Sequence, residues 1–210
     1  MEIAWYYSGE RAYKDSSLTE EKALQKSRIK RMEAIQYIKS LIGQGKKVGI
    51  FSCEDPYNTP FHRDVLNLTD YVHLVTKASG IVVPASLELG LQAKGINAWG
   101  VFGHYGNVHG HEICAAIGAL NTGYGHFGPH LKKDLDSIAQ KFTYQPAKSL
   151  KDNIQDWIKN QYELLLRLIP EKQKALKGAV QGNITIFAGL IENSEDGKSY
   201  KAEILFSKNR

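Results

Sequence analysis

An α/β fold, a mostly parallel β-sheet flanked by helices with a C-terminal strand or hairpin, follows from three features of the chain. Short apolar runs alternate with amphipathic stretches, the order that builds a parallel sheet. The apolar runs are continuous rather than alternating, as in strands buried on both faces. The last tract, "NITIFAGLIENSEDGKSYKAEILF", is two strand-like runs joined at Asp196-Gly197, a hairpin signal.

The elements follow in order. A helix is predicted from Thr19 to Ile42: Ser17 with Glu20 forms a capping box, Leu24, Met32, Ile35, Ile38 and Ile42 recur at helical spacing, and Gly43 and Gly45 end the pattern. "KKVGIFSC" (46–53) and "YVHLVTK" (71–77) read as strands. "PASLELGLQAKG" (84–95) reads as a short helix opened by Pro84 and closed by Gly95. "INAWGVFG" (96–103) is a third strand and "EICAAIGALNTG" (112–123) a helix. After an irregular tract comes an amphipathic helix from Leu150 to Ile169, capped by Ser149 and Asp152 and stopped by Pro170. Nothing marks a linker or a repeat, so residues 1–210 are expected to form a single domain with an N-terminal helical arm at about 17–43.

Bulk properties exclude several classes. No run of about 18 apolar residues exists, and the N-terminus lacks a basic start followed by an apolar core, so neither a membrane span nor a secretory signal is expected. Two cysteines cannot form a disulfide framework, and a cytoplasmic protein with reduced thiols is the default. The net charge of +5 is spread among interleaved lysines and glutamates without a basic block, so no nucleic-acid partner is expected.

The chemistry concentrates in "FGHYGNVHGHEICAAIGAL" (102–120) and in "FSCED" (51–55). Ligands of parallel sheets sit beyond the carboxyl ends of the strands. Cys53 closes one predicted strand, His104 another, and Cys114 opens the following helix, so all three fall at one sheet edge. Thiolate with imidazole favours zinc, and Asp55 lies two residues from Cys53. Taken singly, Cys53 and Cys114 read as ordinary buried thiols; it is the joint pattern that points to a metal. His109 reads as a loop residue, His126 and His130 as surface residues, and Trp5, Trp99 and Trp157 as packing.

These residues resemble the β-class carbonic anhydrases. "CED" is similar to the family's C-x-D motif, Lys77-Ala-Ser-Gly80 to its R-N-A-G segment, and "GHEICAAIGAL" to its G-H-x-x-C-G-x-x-x-A-L segment, the likeness covering about residues 45–123. The resemblance implies a zinc held by two cysteines and one histidine with water in the fourth place, hydrating carbon dioxide to bicarbonate through a metal-bound hydroxide. It assigns Cys53 and Cys114 as ligands, Asp55 as the group that orients the hydroxide or closes the site, and Lys77 and Gly80 as substrate contacts. It also implies a homodimer or higher homo-oligomer, with which an amphipathic N-terminal helix is compatible.

The sequence departs from the family in two places. Tyr57 stands where C-x-D-x-R has its arginine, with Arg63 a candidate substitute, and Lys77 replaces an arginine fork. About seven extra residues, "YGNVHGH", separate the two halves of the histidine–cysteine segment. Read forward, the family's histidine is His104; read backward, it is His111. If both bind, four protein ligands leave no room for water, and closed sites are usually structural. A carbon dioxide hydratase is therefore expected, with a non-catalytic homologue that has a closed or vacant site, or a related carbonyl sulfide or carbon disulfide hydrolase, as the alternatives.

Overall fold

The computed structural model describes residues 33–68, 72–176 and 183–209. The Ser17–Glu20 capping box, Trp5 and the predicted helix before residue 33 lie outside them. What is described of that helix is α1, Ala34–Gly43, which ends where the glycines predicted.

A mixed sheet runs in the order β2 (Val72–Thr76), β1 (Val48–Ser52), β3 (Ala98–Val108), β5 (Thr185–Asn193) and β6 (Tyr200–Asn209). β1 pairs in parallel with β2 and β3, and β3 in parallel with β5. β6 returns antiparallel to β5 through the Asp196-Gly197 turn, as the hairpin signal required. β1 and β5 are buried almost throughout, which explains their unbroken apolar runs.

Both faces of the sheet are covered. On one, α3 (Pro84–Ala93) and the long α6 (Leu150–Ala175) pack Leu87, Leu91, Ile154, Ile158 and Leu165 against Phe51 and Val101. On the other, α1 and α2 (Thr59–Leu66) pack Ile38, Leu41, Phe61 and Val65 against Phe102 and Phe187. Each such side chain, fully buried, contributes about 1.5–3 kcal/mol relative to exposure. Trp99 shows how tight the fit is: a Cβ on Gly49 or Gly90 would lie 2.4 or 2.5 Å from its ring.

Chain direction locates the functional edge. From β1 the chain crosses by α2 to β2 on one side, then by α3 to β3 on the other. The topological switch point therefore falls between the carboxyl ends of β1 and β3, where open α/β sheets place their ligands.

Six elements differ from the sequence expectation. The strand ending at Gly103 continues to Val108, and the residues before Cys114 form a further strand, β4 (His111–Ile113), so the helix there, α4, starts only at Ala115 (Ala115–Thr122). The irregular tract contains α5 (Pro129–Ala139), whose Pro129 stands at the first turn, where its missing N–H costs nothing. The run after Cys53 includes α2, opened in the same way by Pro60. Pro170 does not stop α6, which continues to Ala175, where Lys172 Nζ bonds Glu88 Oε2 of α3 at 2.6 Å. The Ser149 cap is as expected, its Oγ accepting the Asp152 N–H at 3.1 Å.

Candidate metal centre

β1 ends at Ser52 and delivers Cys53 to the switch point. β3 runs beside it and carries His104 two residues beyond Phe102, the partner of Ser52. Cys114 arrives by a different route. The extra residues of "YGNVHGH" form a β-hairpin in which Val108 pairs with His111 and Gly106 with Ile113. Its two central residues, His109 (φ 51°) and Gly110 (φ 80°), both take positive φ, as a type I′ turn requires. β3 thus overshoots the site, folds back on itself, and returns Cys114 as the N-cap of α4 beside the histidine it had passed.

The ligand atoms of Cys53, His104 and Cys114 all lie within 4.8 Å of one another. The two sulfurs are 3.9 Å apart. All three residues are buried, His104 completely. His111 is exposed on β4 and lies outside this group, as do His109 and His126. Among the described residues no other cluster of this kind occurs.

The protonation of His104 is dictated by its neighbours. Its Nδ1 lies 3.2 Å from Asn193 Oδ1, while Asn193 Nδ2 donates to the Tyr57 carbonyl at 2.7 Å. A carbonyl only accepts, so the amide of Asn193 must present its oxygen to His104, and Nδ1 must carry the hydrogen. Nε2 is left as a buried nitrogen without a hydrogen-bond partner, since Asp55 Oδ2, at 3.7 Å, is beyond hydrogen-bond reach. A buried acceptor without a donor is costly. A cation held with the two sulfurs satisfies it, so the residues present fit a zinc ion.

The sulfurs are also fixed. The Ser79 N–H donates to Cys53 Sγ at 3.1 Å, and Ser79 Oγ lies 3.2 Å from Cys114 Sγ. Within the pair, the hydrogen bond with Cys114 and burial push the Cys53 thiol up. The same hydrogen bond, against burial and with help from His104, holds Cys114 well below the ordinary thiol range. Burial pushes His104 down, but the Cys114 charge, with Asp55 and the Asn193 hydrogen bond, outweighs it and the net shift is upward, so without metal a proton competes with a cation for Nε2.

Asp55 caps the turn Pro56–Asn58, its Oδ1 accepting the Tyr57 N–H at 3.0 Å. Its side chain retains 13% exposure, so it borders both the buried cluster and solvent. Tyr57 offers backbone groups here, and its ring packs on the hairpin turn at Gly197. Arg63 is largely exposed and pairs with Asp64. Lys77, half-exposed, lies 3.5 Å from Asp134 of α5. Gly80, at φ 67°, is buried where a Cβ would meet the Phe102 carbonyl at 2.5 Å, and its N–H bonds Lys77 O. A separate groove of about 600 Å3, lined by Glu33, Lys39, Asp64, Leu68 and Tyr200 among others, contains none of the candidate site residues.

Sequence reasoning did not find Asn193 or Ser79. Asn193 ends a strand 89 positions from His104, and only the β3–β5 pairing brings them together. Ser79 carried a weak signal, since it sits inside the segment resembling R-N-A-G.

No protein-family model matches the chain, and no curated protein matches it. Solved structures do. The chain is similar to the limiting CO2-inducible protein LCIB, with a TM-score of 0.53 at 9% identity over 85% of this chain and 93% of that one. It is similar to PtLCIB4, a homologue of that protein, with a TM-score of 0.53 at 15% identity over 85% and 90% of the two chains. A β-carbonic anhydrase of the filamentous fungus Aspergillus fumigatus, a cysteine-to-alanine variant of CafD, gives a TM-score of 0.48 at 14% identity over 77% of this chain and 90% of that one. The fold is β-carbonic-anhydrase-like, with a mostly parallel sheet flanked by helices and a C-terminal hairpin.

Proposed function

We propose that the chain is a zinc-dependent lyase that hydrates carbon dioxide to bicarbonate, with Cys53, His104 and Cys114 as the metal ligands. The observation that carries the reading is the buried convergence of two sulfurs with an imidazole nitrogen that has no hydrogen-bond partner. Three protein ligands of this kind leave a tetrahedral zinc one open position. A zinc ion there supplies a Lewis acid that lowers the pKa of a water from 15.7 to about 7.

The chain's own residues do the rest. Asp55 engages the Tyr57 N–H through Oδ1, which leaves Oδ2 free to orient the attacking water and to take its proton. Burial of the three ligands keeps bulk solvent from the site, and the partly exposed Asp55 marks the side from which a small linear substrate would enter. Lys77, half-exposed and two residues before Ser79, would supply positive charge, shared with Asp134, that draws a bicarbonate-sized anion, and Gly80 keeps its turn pressed on β3 so that Ser79 stays against the sulfurs. His111, exposed on the hairpin, is not needed as a ligand. The reading includes a single domain, a homodimer or higher oligomer, and a reducing compartment such as the cytoplasm, because the thiols must stay reduced to bind metal. No helix among the described residues is long and apolar enough to cross a membrane.

The test is stopped-flow carbon dioxide hydration on zinc-loaded protein. Activity is expected, with loss of both zinc and activity in C53S. A second reading is supported by the Asp55 carboxylate 3.7 Å from His104 Nε2 and the absence of an arginine at 57: Asp55 itself occupies the open position and the homologue is non-catalytic. Zinc-replete protein inactive at every pH favours that reading. Hydrolysis of carbonyl sulfide or carbon disulfide in the same assay series identifies the remaining alternative.

A further inference from the structure

We infer that Ser79 is the positioning residue of the metal centre, tuning both sulfur ligands at once through hydrogen bonds, with Trp157 as its clamp. The inference rests on the metal reading above.

One buried residue contacts both sulfurs. The Ser79 N–H reaches Cys53 Sγ at 3.1 Å and its hydroxyl lies 3.2 Å from Cys114 Sγ. With Cys114 as a thiolate, the hydroxyl is the donor. To reach both, Ser79 adopts φ 54° and ψ 23°, a left-handed conformation that serine rarely takes. The surroundings hold it there. Trp157 Nε1, fully buried on α6, donates to the Ser79 carbonyl at 2.8 Å, and one turn further along Gln161 Oε1 accepts the Val82 N–H at 2.9 Å. α6 therefore pins the Ser79 segment at two points. The long C-terminal helix is thereby tied directly to the electronic state of the site, although it supplies no ligand.

Two consequences follow from general chemistry. Outer partners of metal ligands typically carry 10–100-fold in metal affinity. A hydrogen bond to a thiolate also lowers the energy of its lone pairs, so the sulfur donates less charge and the metal remains a stronger Lewis acid. Removing the hydroxyl makes the Cys114 sulfur a stronger electron donor in a less ordered position.

The experiment uses cobalt(II) as the probe, measuring its affinity by chelator competition and the sulfur-to-cobalt charge-transfer band in S79A, S79G and W157F. S79A is expected to bind cobalt about 10–100-fold more weakly, with the band moved to lower energy. S79G loses the same hydroxyl but relieves the left-handed strain, so it shows the same spectral shift with unchanged or raised thermal stability. That separates the hydrogen bond from backbone strain, and S79G carries the test if S79A does not fold. W157F, which keeps one buried aromatic ring but removes the N–H donor, shifts in the same direction by less. Wild-type affinity and band position in S79G overturn the tuning role, and an unshifted W157F overturns the clamp. A wild-type protein that takes up no cobalt overturns the metal reading itself, a result distinct from either.

Discussion

Asn193 decides which nitrogen of His104 is free. Its own orientation is set by the Tyr57 carbonyl, so a backbone group two residues from Asp55 fixes the histidine tautomer through one amide. N193L, close in size but without the amide, removes the acceptor at Nδ1 and lets the ring protonate at Nε2. Zinc affinity is expected to fall about 10–100-fold, measured by competition with a chromophoric chelator. N193D keeps an acceptor and is expected to retain most of the affinity. Equal affinity in N193L and wild type would remove Asn193 from the site. At this scale the sequence was legible only where chemistry is carried by rare residue types. Two cysteines and a strand-end histidine announced themselves, while an asparagine and a serine, common in any turn, became meaningful only through pairing and a left-handed backbone.

Among the elements, the β3–β4 hairpin takes up the extra residues and leaves His104, not His111, beside the two cysteines. A gapless reading treats an insertion as a displacement, but a hairpin with an I′ turn returns the chain to where it left. The placement of His104 with Cys114 depends on that turn. Gly110, at φ 80°, has nothing within 4 Å of a built Cβ, so its requirement is conformational alone. G110V is expected to cost about 1–3 kcal/mol and to weaken zinc binding, because the strand register that delivers Cys114 loosens. H109N, at a position where asparagine is comfortable, is expected to be neutral. Thermal melts with and without zinc check both. The turn was hidden in the sequence because histidine is not the usual first residue of such a hairpin. The continuation of α6 past Pro170 was hidden for another reason: local propensity ended the helix, whereas the Lys172–Glu88 bond and the buried Ile169 hold it in place. The hairpin at Asp196-Gly197, the Ser149 cap and the buried strands were legible because there local and tertiary demands agree.

For the whole molecule, stability is linked to protons and, on the proposed function, to metal. His62 of α2 lies 3.0 Å from Ser52 Oγ, and burial, helped by the charge of His104, lowers its pKa to about 4. The unfolded chain takes up this proton near pH 6.5 and the folded one near 4, so the contribution is complete above pH 6.5 and is lost as pH falls through about 4. Because the ring is partly solvated, the effect is about 1–2 kcal/mol. Denaturant melts between pH 7 and 4.5 are expected to show a shallower decline for H62Q than for wild type. Parallel curves would assign the acid sensitivity elsewhere. The proposed zinc is expected to act in the same way: at 100 times its dissociation constant it would add about 2.7 kcal/mol to folding stability, and C114S is expected to lose that increment.

Cys53, His104 and Cys114 are proposed to hold one zinc ion with a position left over. X-ray absorption spectroscopy of the zinc-loaded protein, read alongside metal analysis and the H111A variant, tests it most directly. One zinc per chain, two sulfurs, one imidazole and one further oxygen ligand are expected, unchanged in H111A. A shell of two sulfurs and two imidazoles that loses one imidazole in H111A, or a protein that retains no zinc, would contradict it.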